Sequence, residues 1–343
     1  MQAKRVARVA GAFNTEVEEH FAGTHLNTEQ YAIAAFRNLR LNPVAGLLLP
    51  HLKEVSLIDH SADKVLIGEY IPSATALTEE GLLQRTRDIM GLQDWKSWRP
   101  MKPISKGHSL AKAENLFWEV VTDYVDNFFE RRGEEVKEHW WEVYRFSEDL
   151  VNHSVPVAFT AEPDRPPKGK RWEDHARRRF DYYSLQYSFD SSLERPVVDG
   201  ETKAVSRITS ATSFEEAGKE DWENLKAACR YAIMMATFMH TWINEHQYDD
   251  LGEILYSSGG LRYGEKPEGV MAPEDDYEIA PDLIRSTQML WFTNFLSRTE
   301  YGFITRNEEG DVNPHFARLL EEKRDEFKKL DVDIDAIESR TNI

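Results

Sequence analysis

Among the 343 residues there is a single cysteine, Cys229. That excludes an intrachain disulfide and any Cys-rich zinc site, and a reducing, cytoplasmic compartment is the expected setting. Positive charge is in short supply: 42 Lys and Arg face 60 Asp and Glu, for a net charge of −18. Such a balance argues against nucleic acid or an anionic membrane surface as partner, because both are polyanions. Long apolar runs are missing too. The most apolar stretch, Tyr231 to Ile243, falls short of the ~20 residues a spanning helix needs, and it contains His240. No integral membrane segment is therefore expected. Met1 to Phe13 carries Lys4, Arg5 and Arg8 but no apolar core of a signal peptide. No internal repeat or low-complexity tract is visible.

What is present is mainly helical patterning. Val17 to Arg40 runs without proline until Asn42-Pro43 breaks it, and a short apolar run, Val44 to Pro50, follows. Ala113 to Arg132 places Leu116, Phe117, Val120, Val121, Tyr124, Val125, Phe128 and Phe129 at helical spacing. Further helices are expected over Glu134–Glu148, Asp221–Tyr248, Pro281–Arg298 and Phe316–Leu330. Strand signals are short, at Ser184–Phe189 and Lys203–Ile208, and Pro163 to Arg179 reads as a solvated loop. The fold class is mainly α with one core.

Two pairs of side chains carry candidate metal chemistry. His240 and Asn244 are four apart and share one helical face. They either aim at one point or serve as a hydrogen-bonded core histidine and a local cap. His20 and His25 are five apart, so on a regular α-helix their directions differ by about 140°. They are either unrelated or sit on a π-distorted turn, which brings positions i and i+5 close to one face.

The text around these pairs resembles the lipoxygenase family. His20-Phe-Ala-Gly-Thr24-His25, with Glu29 following, is similar to its first iron-binding segment. Pro43-Val44, Leu47, Leu48, Pro50 and His51 resemble its Pro-x-x-x-Leu-Leu-x-Pro-His element, one residue shorter before it. Leu116 to Phe129 and His139-Trp140-Trp141-Glu142 resemble two further helical segments. His240-x-x-x-Asn244-x-x-Gln247-Tyr248 is similar to the segment that carries the third and fourth ligands. Leu296 to Thr299 and Tyr301-Gly302 resemble a late segment, and Ile343 matches the family's terminal isoleucine.

The resemblance implies a lipoxygenase-like helical catalytic core with iron held between two long central helices. It implies His20, His25, His240, Asn244 and the carboxylate of Ile343 as ligands to non-heme iron, a set that suits Fe(II) and Fe(III). It implies a dioxygenase that abstracts a hydrogen atom, with iron-bound hydroxide as acceptor, and adds O2 to an unsaturated small-molecule substrate. Glu16, Gln247, Ala62, Phe238 and Trp242 are the expected outer-shell and pocket residues. One domain over residues 1–343 is expected, without the family's N-terminal β-barrel. A homo-oligomer or a partner subunit is expected to cover the side that the missing helices protect. Glu245, His246, Asp249 and Asp250 leave two alternatives open: a lipoxygenase-like oxygenase of a polar metabolite, or an inactive helical scaffold.

Overall fold

A computed structural model describes residues 19–20, 23–25, 27–53, 94–152, 197–198, 201–202, 206–251, 287, 290–291, 294, 298, 302–306 and 312–341. Its regular elements are α1 (Asn27–Asn38), α2 (Val44–Leu52), α3 (Ser109–Glu138), α4 (Trp140–Asn152), β1 (Val197–Val198), β2 (Glu201–Thr202), α5 (Lys219–Met234), α6 (His240–Leu251), α7 (Pro314–Glu322) and α8 (Arg324–Lys328). A π segment, Met235–Met239, joins α5 to α6, and a 3-10 turn, Ile334–Ala336, precedes the tail.

The axis of the core is α3, 30 residues long and so about 45 Å end to end. Its stripe of Phe117, Val120, Val121, Tyr124, Val125 and Phe128 is buried, each large side chain contributing roughly 2 kcal/mol through loss of wetted apolar surface. α5 and α7 lie against that stripe. Phe316 of α7 stacks on Tyr124 with 4.5 Å between centroids. Where α3 crosses α5, a Cβ at Gly133 would stand 3.4 Å from the Trp222 ring, so the glycine lets the ring lie directly over the backbone of α3. Asp221 starts α5 by accepting from the Gly218 N–H at 2.7 Å. Asn313 does the same for α7, accepting from His315 N–H, with Pro314 in its first turn.

The sharp corner between α1 and α2 is held by one acid. Glu142, at the start of α4, accepts the backbone N–H groups of Arg40, Leu41 and Asn42 at 2.9, 2.9 and 2.7 Å. These donors would otherwise have no helical partner. Arg37 and Asn38 of α1 both donate to Asp149 of α4, at 3.1 and 2.8 Å.

Several expected boundaries move. The break expected near Gly133 falls instead at His139, so α3 is longer and α4 shorter than the pattern suggested. The Phe316–Leu330 helix divides at Lys323 into α7 and α8. Ser206 to Ile208 is not strand; the short pair is β1 with β2, in the register Val197 to Thr202 and Val198 to Glu201. Ser184–Phe189 and Pro163–Arg179 lie outside the described residues. Of Pro281–Arg298, residues 287, 290, 291 and 294 are helical. Among the described residues no helix is long and apolar enough to cross a membrane.

Candidate metal centre

His20 and His25 stand on a distorted turn. Residues 19, 20 and 23–25 are π-helical, as convergence of an i, i+5 pair requires. The distortion frees backbone carbonyls, and threonines take them up. Thr24 donates its hydroxyl to His20 O, and Thr28 donates to Thr24 O at 2.8 Å. Asn27 donates to Gly23 O at 3.2 Å and to the Tyr231 hydroxyl, which fastens the turn to α5.

His240 begins α6, immediately after the second π segment, Met235–Met239. The sequence pattern suggested an unbroken helix through this region. Thr237 donates to Ile233 O at 2.6 Å, the same device as at Thr24.

The three imidazoles meet at one point. His25 Nε2 is 3.1 Å from His20 Nε2 and 3.1 Å from His240 Nε2. Together they form a buried cluster of possible ligand atoms within 4.8 Å of one another. Two nitrogens bound side by side to one cation at about 2.1 Å stand about 3.0 Å apart, so the spacing fits a shared ion. The protonation chemistry fits as well. Burial, then the neighbouring His240 and His20, hold His25 well below the usual imidazole range. Burial, then His20, do the same to His240. Both are therefore neutral at pH 7, the form that ligates. The donor set is nitrogen-rich, with no thiolate to select a soft ion.

Asn244 is buried one turn beyond His240 on α6. Phe238 is buried and stacks on Phe117 with centroids 5.0 Å apart. Trp242 is half-buried and stacks on His246 at 4.1 Å. Gln247 lies within α6. Glu16, Ala62 and Ile343 lie outside the described residues.

The tail approaches the centre. Ile337 to Thr341 are all buried. Thr341 Oγ1 is 3.2 Å from Thr28 Oγ1. His51 of α2 donates from Nδ1 to Ser339 O at 2.7 Å. Glu338, which the sequence offered only as a polar residue of the tail, reaches His240: its Oε2 is 2.9 Å from Nδ1. Burial pushes the Glu338 carboxyl up to about 8, with His20 pulling the other way. Nothing in the spacing of the motifs signals this acid; its position depends on where the tail docks.

No family model matches the chain. It is 24% identical over 264 residues to a linolenate 9R-lipoxygenase of Nostoc sp. (strain PCC 7120), covering 75% of this chain and 27% of that protein. Its fold superposes on the crystal structure of a 9R-lipoxygenase from Cyanothece PCC8801 with a TM-score of 0.78 and 35% identity, covering 100% of this chain and 49% of that one. A calcium-dependent 11R-lipoxygenase structure shares the fold at 16% identity and a TM-score of 0.62, over 98% of this chain and 47% of that one. The chain thus spans about half the length of the lipoxygenase structures it matches, and a smaller share of the curated relative.

Proposed function

The chain belongs to a lipoxygenase-like family, and from that premise we propose that it is an iron dioxygenase acting on an unsaturated fatty acid. The carrying observation is the convergence of three imidazole Nε2 atoms on one buried point, two from a π-distorted turn and one from the residue directly after a second π segment far away in sequence. His20, His25 and His240 would hold the iron. Asn244 and the carboxylate of Ile343 would complete the set; the burial of Asn244 and of the tail through Thr341 supports this. Iron, when bound, supplies the one-electron change that hydrogen abstraction and O2 chemistry require.

The chain's own residues do the rest. His25 and His240 bring no charge, which suits the site to admit a hydrocarbon. Complete burial of His240 keeps bulk water from the reacting carbon. Trp242, Phe238 and Ala62 are proposed as pocket walls, and Glu16 and Gln247 as groups that hydrogen-bond to the ligand network from outside it. A fatty acid is favoured over a polar metabolite because the Nostoc relative is a linolenate lipoxygenase.

The test is elemental analysis and oxygen uptake on the purified chain. The expected result is one iron per chain, and linolenate-dependent consumption of labelled O2 with the label in the product. His25→Ala and His240→Ala should lose both iron and uptake. A chain that takes up no iron, or an iron-loaded chain that consumes no O2 with linolenate, overturns the reading.

A further inference from the structure

A histidine that ligates through Nε2 must carry its remaining proton on Nδ1, and that N–H needs an acceptor. At His25 no acceptor stands there: its Nδ1 is buried without a hydrogen-bond partner among the described residues. At His240 a carboxylate oxygen waits at 2.9 Å. The His240 ring is completely buried and Glu338 nearly so. Water therefore does not compete for either group.

The carboxylate is not there by chance of rotamer, because the backbone that carries it is fixed on every side. Glu338 N–H donates to Thr241 Oγ1 at 2.9 Å, which ties the acid to the residue beside His240. Glu338 also bridges Phe303 in antiparallel fashion. On one flank Ile304 N–H donates to Ile337 O at 3.0 Å, and on the other Ser339 N–H donates to Gly302 O at 3.0 Å. His51 holds Ser339 O from the far side. A ligand shell supported in this way keeps its geometry to fractions of an ångström.

We propose that Glu338 is a positioning residue: it accepts the Nδ1 proton of His240, fixes that ring as the tautomer whose Nε2 faces His20 and His25, and so makes docking of the tail a condition of tight metal binding. The proposal rests on the reading that the three histidines hold a metal ion. It adds that one ligand is oriented from behind by a side chain from the far end of the sequence.

The experiment compares wild type, Glu338→Gln and Glu338→Ala as full-length chains. Cobalt(II) is titrated into metal-free protein and its visible absorption recorded. Glu338→Ala is expected to bind cobalt about 10- to 100-fold more weakly, the usual cost of losing such a partner, with unchanged far-ultraviolet circular dichroism. Glu338→Gln keeps an acceptor oxygen of the same shape. It is expected to bind cobalt within a few-fold of wild type. Rescue by the isosteric amide, with unchanged circular dichroism in all three chains, separates loss of the acceptor from loss of the fold. Equal cobalt affinity in Glu338→Ala, or a Glu338→Gln chain as weak as Glu338→Ala, overturns the proposal. If wild type itself binds no cobalt and no iron, it is the metal-centre reading that fails.

Discussion

At His51 the two ring nitrogens have opposite surroundings. Nδ1 donates to Ser339 O at 2.7 Å, while Nε2 is buried with no hydrogen-bond partner among the described residues, between the rings of Tyr124 and Phe316. Burial, opposed in part by the Ser339 contact, pulls the imidazole down from 6.5 to about 4. The unfolded chain therefore binds a proton between those values that the folded chain refuses. Stability rises with pH wherever the unfolded state holds more protons, so this contribution is fully present above pH 6.5 and is lost as pH falls towards 4. Its size is about 3 kcal/mol across the window. Urea unfolding at pH 7 and at pH 4.5 should show wild type losing more stability on acidification than His51→Gln. Parallel losses in the two proteins contradict the assignment. His51 was legible from the sequence only as part of the Pro-His element; that it pins the tail depends on where Ser339 docks. Glu142 was legible only as part of a motif; that it closes the α1–α2 corner with three backbone bonds depends on how α4 packs. Glu338 was not legible at all, since a charged residue in a polar tail has no periodicity to betray its burial.

At the scale of elements, the two π segments decide where the ligands point. The first was legible once the family resemblance made His20 and His25 ligands of one ion, because two such side chains cannot converge on a regular α-helix. The second was not. His240 and Asn244 share a face on any α-helix, so nothing in their spacing asks for Met235–Met239 to widen. Its purpose emerges from the phase of α5. Leu225, Ala228 and Ala232 form the buried stripe. Eight α-helical steps from Ala232 would put His240 about 80° off that stripe. With one residue absorbed by the π turn the count is seven, and His240 falls within about 20° of it. Two variants separate phase from local shape. Deleting Ala236 should convert the segment to plain α-helix, leave α6 in phase, and retain most of the cobalt binding. Inserting one alanine after Ala236 should turn α6 by about 100° and abolish cobalt binding while the helical circular dichroism signal persists. Wild-type affinity in the insertion variant contradicts the phase argument.

For the whole molecule, the centre is where distant stretches of chain are pinned together. His25 and His240 are 215 positions apart, Thr28 and Thr341 are 313 apart, and His51 and Ser339 are 288 apart. Sequence patterning identified the helices that supply these residues but not the tail that crosses between them, because a short irregular segment draws its place from partners rather than from propensity. An ion at the three imidazoles would close a loop of more than two hundred residues, and it would bind the folded chain far better than the unfolded one. Ligands of that kind stabilise by mass action, by about 4 kcal/mol when the free ion stands a thousandfold above its dissociation constant. In a chain of this size that corresponds to a rise of roughly 6 °C in the melting temperature. Calorimetry of the metal-free protein with and without excess cobalt should show a shift of this order, reversed by a chelator. His25→Ala should remove the shift, because His25 is the ring that stands within 3.1 Å of both other histidines. An equal shift in the variant would place the stabilising ion elsewhere on this acidic surface, and no shift in wild type would mean that the ion and the fold are not coupled.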